Sequence, residues 1–183
     1  MRRWNGWGDS ANDYPLKPAG AAFLEARLGA GQRLADADLD QVLASVPASR
    51  LAHHPLVDTA PETRVRHARG QSLADWLAMR SGDFGVFPDG VAFPESGEQV
   101  RELLDWCRDQ DVLLIPYGGG TSVAGHINPR AGDRPVLTLS LARLDRLTDL
   151  DQASQVATFG AGTPGPSVER QLAERGYRLG HYP

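Results

Sequence analysis

Lys17 is the only lysine in a chain of 183 residues, and that scarcity closes several routes to function. A P-loop needs a lysine reaching the terminal phosphates of a nucleotide, and a pyridoxal-phosphate enzyme needs one for its Schiff base. Lys17 sits between Leu16 and Pro18 near the N-terminus, where neither chemistry is assembled. Cysteine is equally scarce. Cys107 stands alone, which excludes an internal disulfide, and it falls on the apolar stripe of a predicted helix, as a buried thiol rather than a nucleophile does. Positive charge is not in excess: the net charge of −4 offers no basic field for nucleic acid. No apolar run approaches the roughly 18 residues of a membrane span. The start, Met1-Arg2-Arg3-Trp4, turns polar at Asn5, Asp9 and Asn12, so it lacks the apolar stretch of a secretory signal. Repeats and low-complexity tracts are missing too. These absences point to a reduced, cytoplasmic setting, and the abundance of arginine, alanine and glycine points to a GC-rich bacterial genome.

What is present concentrates in residues 112–125, VLLIPYGGGTSVAG. Val112, Leu113, Leu114 and Ile115 read as a strand buried on both faces. Gly118, Gly119 and Gly120 follow, then Thr121 and Ser122. Glycines behind a strand admit positive φ and let a ligand lie directly against the main chain. Successive amides in such a turn converge on an anion, and the two hydroxyls add donors. A diphosphate-bearing cofactor fits this pattern, and a tight turn without ligand is the alternative.

A second glycine-rich segment, Gly160-Ala161-Gly162-Thr163-Pro164-Gly165, satisfies the dinucleotide fingerprint G-x-G-x-x-G between a predicted strand and helix. Pro164 and Pro166 remove amides where a pyrophosphate needs them, and no acidic residue stands some twenty positions on to hold a ribose. A plain strand-turn-helix is the preferred reading.

Elsewhere the pattern predicts local elements. Residues 1–18 read as extended, followed by short amphipathic helices over 19–28 and after Asp38, the latter ended by Pro47. Residues 47–61 read as loop. His53, His54, Asp58 and His67 lie there or just beyond, without the convergent spacing of a metal site, and none is expected. Arg64, Arg66 and Arg69 around His67 suit either a solvated or ion-paired face or an anion contact. Ser72 with Asp75 caps a helix whose Leu73, Trp76 and Leu77 share one side. Next come a strand over 91–93 and a helix capped by Ser96 and Gln99, with Val100, Leu103, Leu104 and Cys107 on its stripe. Together with strand 112–115 they make a β-α-β unit. Residues 136–141 predict another strand, 147–150 and 155–159 an antiparallel pair, and 167–175 a final helix capped by Gly176.

The order of strand, Pro94-Glu95-Ser96, capped helix, apolar strand, Pro116-Tyr117-Gly118-Gly119-Gly120-Thr121-Ser122-Val123, strand, hairpin and helix resembles the FAD-binding domain of the vanillyl-alcohol oxidase superfamily, the flavoenzymes with a PCMH-type domain. Within it the sequence is similar to the alkyldihydroxyacetonephosphate synthase branch and its bacterial FAD-linked oxidase relatives. Arg66-His67-Ala68-Arg69-Gly70, residues 116–123 and Gly180-His181 carry that similarity. It implies an α/β and α+β fold: a small parallel β-α-β subdomain and the start of an antiparallel one, with a helical N-terminal segment. Residues 1–85 would be the arm and helical segment, and residues 86–183 the FAD-binding domain.

The resemblance further implies that residues 116–123 wrap the FAD pyrophosphate, with Pro94 on the adenine side. Thr121 occupies the place where histidyl-linked members carry their attachment histidine, so FAD is expected to be non-covalent; His126 comes five residues later. Family members continue past the equivalent of Pro183 into a second flavin-contacting stretch and a substrate domain, where the catalytic residues are expected. The chain by itself should then bind FAD weakly and not turn over. The parent protein is expected to be an FAD-dependent oxidoreductase of a small hydroxy-acid or alcohol substrate, with a homodimer as a compatible assembly. The alternatives are an alkyldihydroxyacetonephosphate synthase-like transferase of ether-lipid synthesis, exchanging acyl for alkyl through a flavin adduct, a nicotinamide dehydrogenase built on Gly160 to Gly165, and a non-enzymatic nucleotide-binding module. In that last reading the arm Arg2-Arg3-Trp4-Asn5-Gly6-Trp7-Gly8 grips a partner; packing on its own domain is the commoner fate of such an arm.

Overall fold

The computed structural model describes residues 3–12, 14–32 and 35–181; Arg2 of the arm and Tyr182 and Pro183 lie outside them. Among the described residues twelve elements follow one another: α1 (Pro18–Leu28), α2 (Leu39–Ser45), β1 (Val57–Asp58), α3 (Pro61–Arg66), α4 (Leu73–Ser81), β2 (Gly90–Ala92), α5 (Gly97–Asp109), β3 (Leu113–Tyr117), β4 (Val136–Ser140), β5 (Leu147–Asp151), β6 (Val156–Phe159) and α6 (Gly165–Ala173). The first four strands form a sheet in the order β1-β2-β4-β3, with β2, β4 and β3 mutually parallel and β1 antiparallel at one edge. β5 and β6 form a separate antiparallel hairpin. The mixed α/β character and the two-part architecture agree with the expectation.

The sheet corrects one detail. β4, not β3, is the inner strand: all five of its residues are buried, whereas β3 lies at the edge and leaves Leu113 40% exposed. The apolar run at 112–115 is therefore not covered on both faces, and β4 separates β2 from β3 in the β-α-β unit. The reason is the long segment after β3, which lets β4 return between the two. α5 packs over this sheet, burying Leu103 and Cys107 with Ala92, Val112, Leu137 and Leu139 and half-burying Val100, whereas Leu104, the fourth residue of the predicted stripe, is 49% exposed. Its start is fixed by Ser96, whose Oγ accepts from the Gln99 amide at 3.3 Å, while the Gln99 side chain accepts from the Glu95 amide at 2.7 Å. Burial pushes the Cys107 thiol up to about 11, which leaves it protonated and inert at neutral pH.

A second core gathers Val42, Val65, Ala68, Met79, Phe84 and Phe87, against which Trp4 packs. Here three expectations change. β1 lies within the stretch 47–61 read as loop, and α3 begins at the end of that stretch. α1 forms but buries nothing among the described residues. α4 turns Asp75 and Met79 inward, leaving Leu73 74% exposed and Trp76 and Leu77 outside as well. The capping box explains the rotation: Asp75 accepts from both the amide and the hydroxyl of Ser72, and its other oxygen is held from inside the protein.

Asp89 ties the cores together from the turn before β2. Its carboxylate accepts from Arg50 Nη2 at 2.8 Å, Arg50 Nε at 2.9 Å and the Val136 amide at 2.8 Å. Burial pushes this carboxyl up, but the Arg50 side chain and the Val136 and Arg50 amides outweigh it and hold it below the usual carboxylate range.

Candidate functional site

Parallel strands place their C-terminal ends along one sheet edge, and ligands of open α/β sheets settle outside that edge. In this sheet Ala92, Leu139 and Pro116 share one register row. Pro94, two residues past β2, and Gly118, immediately past β3, therefore leave the same edge. The structure thus brings the two parts of the predicted site to one side of the sheet. Pro94 is fully buried, and beyond it Glu95 binds Arg143 at 2.8 Å, both lining a cavity of about 570 Å³.

The glycine loop meets the requirement for anion binding. Among the described residues, no acceptor takes the amides of Gly118, Gly120, Thr121, Ser122 or Val123. Gly120 has φ +70° and is buried, so glycine is required there for the turn. Gly118 and Gly119 are exposed, and a Cβ added to Gly118 would meet nothing within 4 Å. A ligand can therefore approach the main chain at this point. Ser122 Oγ lies 3.2 Å from His126 Nδ1 and accepts from the Ala124 amide at 3.3 Å. Pro116 and Val123, the ends of the predicted stretch, are exposed, and Tyr117 is buried.

What holds the loop was not legible in the sequence. Gly70 lies against it so closely that a Cβ there would collide with the Ser122 carbonyl oxygen. The Gln71 amide donates to that same oxygen at 2.6 Å, and the Gly70 amide donates to Asn128 Oδ1 at 3.0 Å. Asn128 Nδ2 in turn donates to the buried Asp75 at 2.6 Å. Asp75 thus caps α4 and, through Asn128, fixes the segment on which the loop rests. The flagged cluster Arg66-His67-Ala68-Arg69-Gly70 ends at this contact, but only its glycine hinted at it.

The residues around His67 divide by role. Its Nδ1 lies 2.8 Å from the Thr63 carbonyl oxygen, and its ring packs against Tyr117 (4.7 Å) and Phe93 (5.5 Å). Tyr117 donates to the Arg66 carbonyl oxygen at 3.3 Å. Arg64 is a structural cation: buried, it donates to the carbonyls of Pro88 (2.6 Å) and Pro47 (2.7 Å), and desolvation lowers its pKa. Arg66 pairs with Glu62 at 2.7 Å. Arg69 Nε is buried and without a hydrogen-bond partner among the described residues. His54 faces Glu102 at 3.4 Å, and no cluster of the described residues has the make-up of a metal site.

The Gly160 segment is closed by its own backbone. The Gly160 amide donates to Arg146, Gly162 to Leu144 and Thr163 to Gly160, each near 3 Å. Cβ atoms on Gly160 and Gly162 would collide with the carbonyls of Leu144 and Leu141. These glycines serve close chain packing, and α6 follows with proline in its first turn.

Trp4 stacks on Phe84 at 6.4 Å, and Gly6, Trp7 and Gly8 line a cavity of about 300 Å³ together with Gln71, Gly119 and Thr121. The arm packs on its own domain and reaches the glycine loop.

No helix of the described residues is long and apolar enough to cross a membrane. Comparison with known proteins agrees with the geometry. A family described as FAD binding domain matches residues 88–183, more than half of the chain. Alkyldihydroxyacetonephosphate synthase of Dictyostelium discoideum is 27% identical over 99% of the chain, and that of Caenorhabditis elegans 26% over 99%. The chain spans 36% and 35% of those two proteins. D-lactate dehydrogenase [cytochrome] 1 of Saccharomyces cerevisiae is 31% identical over 51% of the chain and 16% of its own length. A solved structure of alkyldihydroxyacetonephosphate synthase superposes on all of the chain with TM-score 0.83 and 25% identity, the chain covering 39% of it. The chain therefore belongs to the FAD binding domain family, with the fold of a PCMH-type domain.

Proposed function

We propose that this chain is the FAD-binding part of a flavin-dependent enzyme, and that residues 116–123 hold the FAD diphosphate without a covalent link. The observation that carries the reading is that the amides of Gly118, Gly120, Thr121, Ser122 and Val123 find no acceptor among the described residues, at the C-terminal edge of the parallel strands. Gly118, Gly119 and Gly120 bring the main chain to the phosphates, Thr121 and Ser122 add hydroxyl donors, and Tyr117 anchors the turn to Arg66. Pro94 borders the adenine side. Residues 86–183 are taken as the binding domain and residues 1–85 as the segment that supports it. Thr121 at the place of the attachment histidine favours non-covalent binding, and the exposed His126 lies 3.2 Å from the Ser122 hydroxyl.

Bound flavin supplies the electron- or group-transfer chemistry, while the chain binds and orients it. Oxidation of a small hydroxy acid is supported by the likeness to D-lactate dehydrogenase over half of the chain. A second reading, an alkyldihydroxyacetonephosphate synthase-like transferase, is favoured by the extent of the match: those relatives align over 99% of the chain, including the arm. Titration of the chain with FAD, followed by flavin fluorescence, tests the common claim. Saturable binding that is lost from the pellet on acid precipitation is expected. Absence of binding by the folded chain overturns the FAD reading, and yellow colour retained on the precipitate overturns the non-covalent mode.

A further inference from the structure

We infer that the N-terminal arm is the second wall of the dinucleotide site, so that the diphosphate is clasped between Gly6-Trp7-Gly8 and the Gly118–Gly120 loop. This rests on the FAD reading above and extends it to a segment outside the matched family region, which starts at residue 88.

Four observations carry it. First, arm and loop face one another across a shared cavity of about 300 Å³, lined by Gly6, Trp7, Gly8, Gln71, Gly119 and Thr121. Second, the arm is anchored away from the loop. Trp4 belongs to the core around Phe84, and the Arg3 amide donates to Gly8 at 2.9 Å, closing the arm into a turn. A wall fixed by core packing does not need the ligand to be ordered, which spares the entropy of closing a loose flap. Third, Gly6 is buried, yet a Cβ built on it meets nothing within 4 Å, so its free face looks into open cavity rather than into protein. Fourth, Trp7 is 60% exposed while both of its neighbours line the cavity. An indole at the rim offers an apolar plane and one N–H donor to a passing nucleotide.

The same arrangement answers how a diphosphate is neutralised without lysine. Behind the wall lies a smaller cavity of about 140 Å³, which shares Gly6 and Gln71 and is also lined by Arg3, Arg66, His67 and Arg69. Arg66 is paired with Glu62, so Arg69, whose buried Nε has no hydrogen-bond partner among the described residues, is the arginine of this cavity that adds positive potential beside the loop, and covering the loop excludes water and strengthens that field.

The test is Trp7→Ala, read with three probes on the full chain: FAD, ADP, which keeps the diphosphate without the flavin, and FMN, which keeps the flavin without the diphosphate. The exposed position predicts a melting temperature within about 2 °C of the parent. Dissociation constants for FAD and ADP should both rise about tenfold, by the same factor, with FMN unaffected. Unchanged FAD and ADP affinities in Trp7→Ala, with Gly118→Ala weakening both, would overturn the clasp and leave the FAD reading standing. A folded parent chain that binds neither FAD nor ADP overturns both. A second readout does not depend on the alanine variant. Saturating ADP should change the emission of Trp7, obtained as the difference between parent and Trp7→Phe, and no change contradicts the clasp.

Discussion

Two glycine-rich turns of this chain look alike in sequence and differ in what their main-chain nitrogens are doing. The turn over 118–123 follows an edge strand of a parallel sheet, and the amides of Gly118, Gly120, Thr121, Ser122 and Val123 find no acceptor among the described residues. The turn over 160–165 follows the second strand of an antiparallel hairpin, and its amides at Gly160, Gly162 and Thr163 are consumed by neighbouring carbonyls. The second is the better match to a dinucleotide fingerprint, yet the first has the donors. A glycine pattern reports only that a side chain is unwelcome. Whether protein or ligand excludes it depends on what the chain brings alongside from elsewhere.

The contrast breaks most sharply at Gly162. A methyl there would drive into the Leu141 carbonyl oxygen, backbone against backbone, with no side chain to rotate away. Gly162→Ala should destabilise by about 3 kcal/mol, the upper end for overpacking, because the 141–146 segment must shift. Thermal unfolding followed by circular dichroism would show it. A melting point equal to the parent's would mean the turn is loose and its glycines are held for another reason.

A smaller effect separates the beds on which the two turns rest. The first turn stands on a sheet tied by Asp89, whose carboxyl is held low in the folded state by Arg50 and two amides against the opposing pull of burial. A depressed native pKa stabilises the fold at pH above the unfolded value, about 3.9, and that stabilisation is lost as pH falls through the native value. The chain should therefore weaken below about pH 4. Asp89→Asn should lose about 2 kcal/mol at neutral pH, Arg50 being partly solvated, and show a shallower acid limb. The second turn is held by neutral backbone bonds and by the Thr163 hydroxyl, which donates to the Gly160 carbonyl oxygen at 2.7 Å, so amide exchange at Gly160 and Gly162 should be insensitive to this substitution. Parallel acid limbs for parent and variant would remove Asp89 from the account.

Much of this was readable locally, and the failures share a cause. α5 and the hairpin declare themselves through periodicity and caps within a few residues, as Ser96 and Gln99 do. Pro94 and Gly118 could be assigned to one edge as soon as the strands were taken as parallel. β1 and α3 are two and six residues long and exist because distant groups hold them, β1 by pairing with β2 and α3 by Arg64 reaching Pro47 and Pro88. No local pattern encodes that. The inward face of α4 is not encoded in its apolar side, because Asp75 is drawn inward by Asn128, 53 positions away. The same distance problem hid Gly70, whose contact with Ser122 is the support of the site.

The smallest structural effect belongs to the residue on which the comparison turns. Gly118 has no positive φ, and a Cβ there faces open space. Gly118→Ala should therefore keep stability within about 0.5 kcal/mol of the parent. If the space is where phosphate oxygens lie against the main chain, the methyl should still weaken FAD about tenfold, a loss near 1.4 kcal/mol. Measured together, Gly162→Ala and Gly118→Ala give opposite signatures, one lowering the melting point and the other the affinity. Should Gly118→Ala leave FAD affinity unchanged, the open amides of this loop would not be what the cofactor approaches, and the distinction between the two turns would lose its functional meaning.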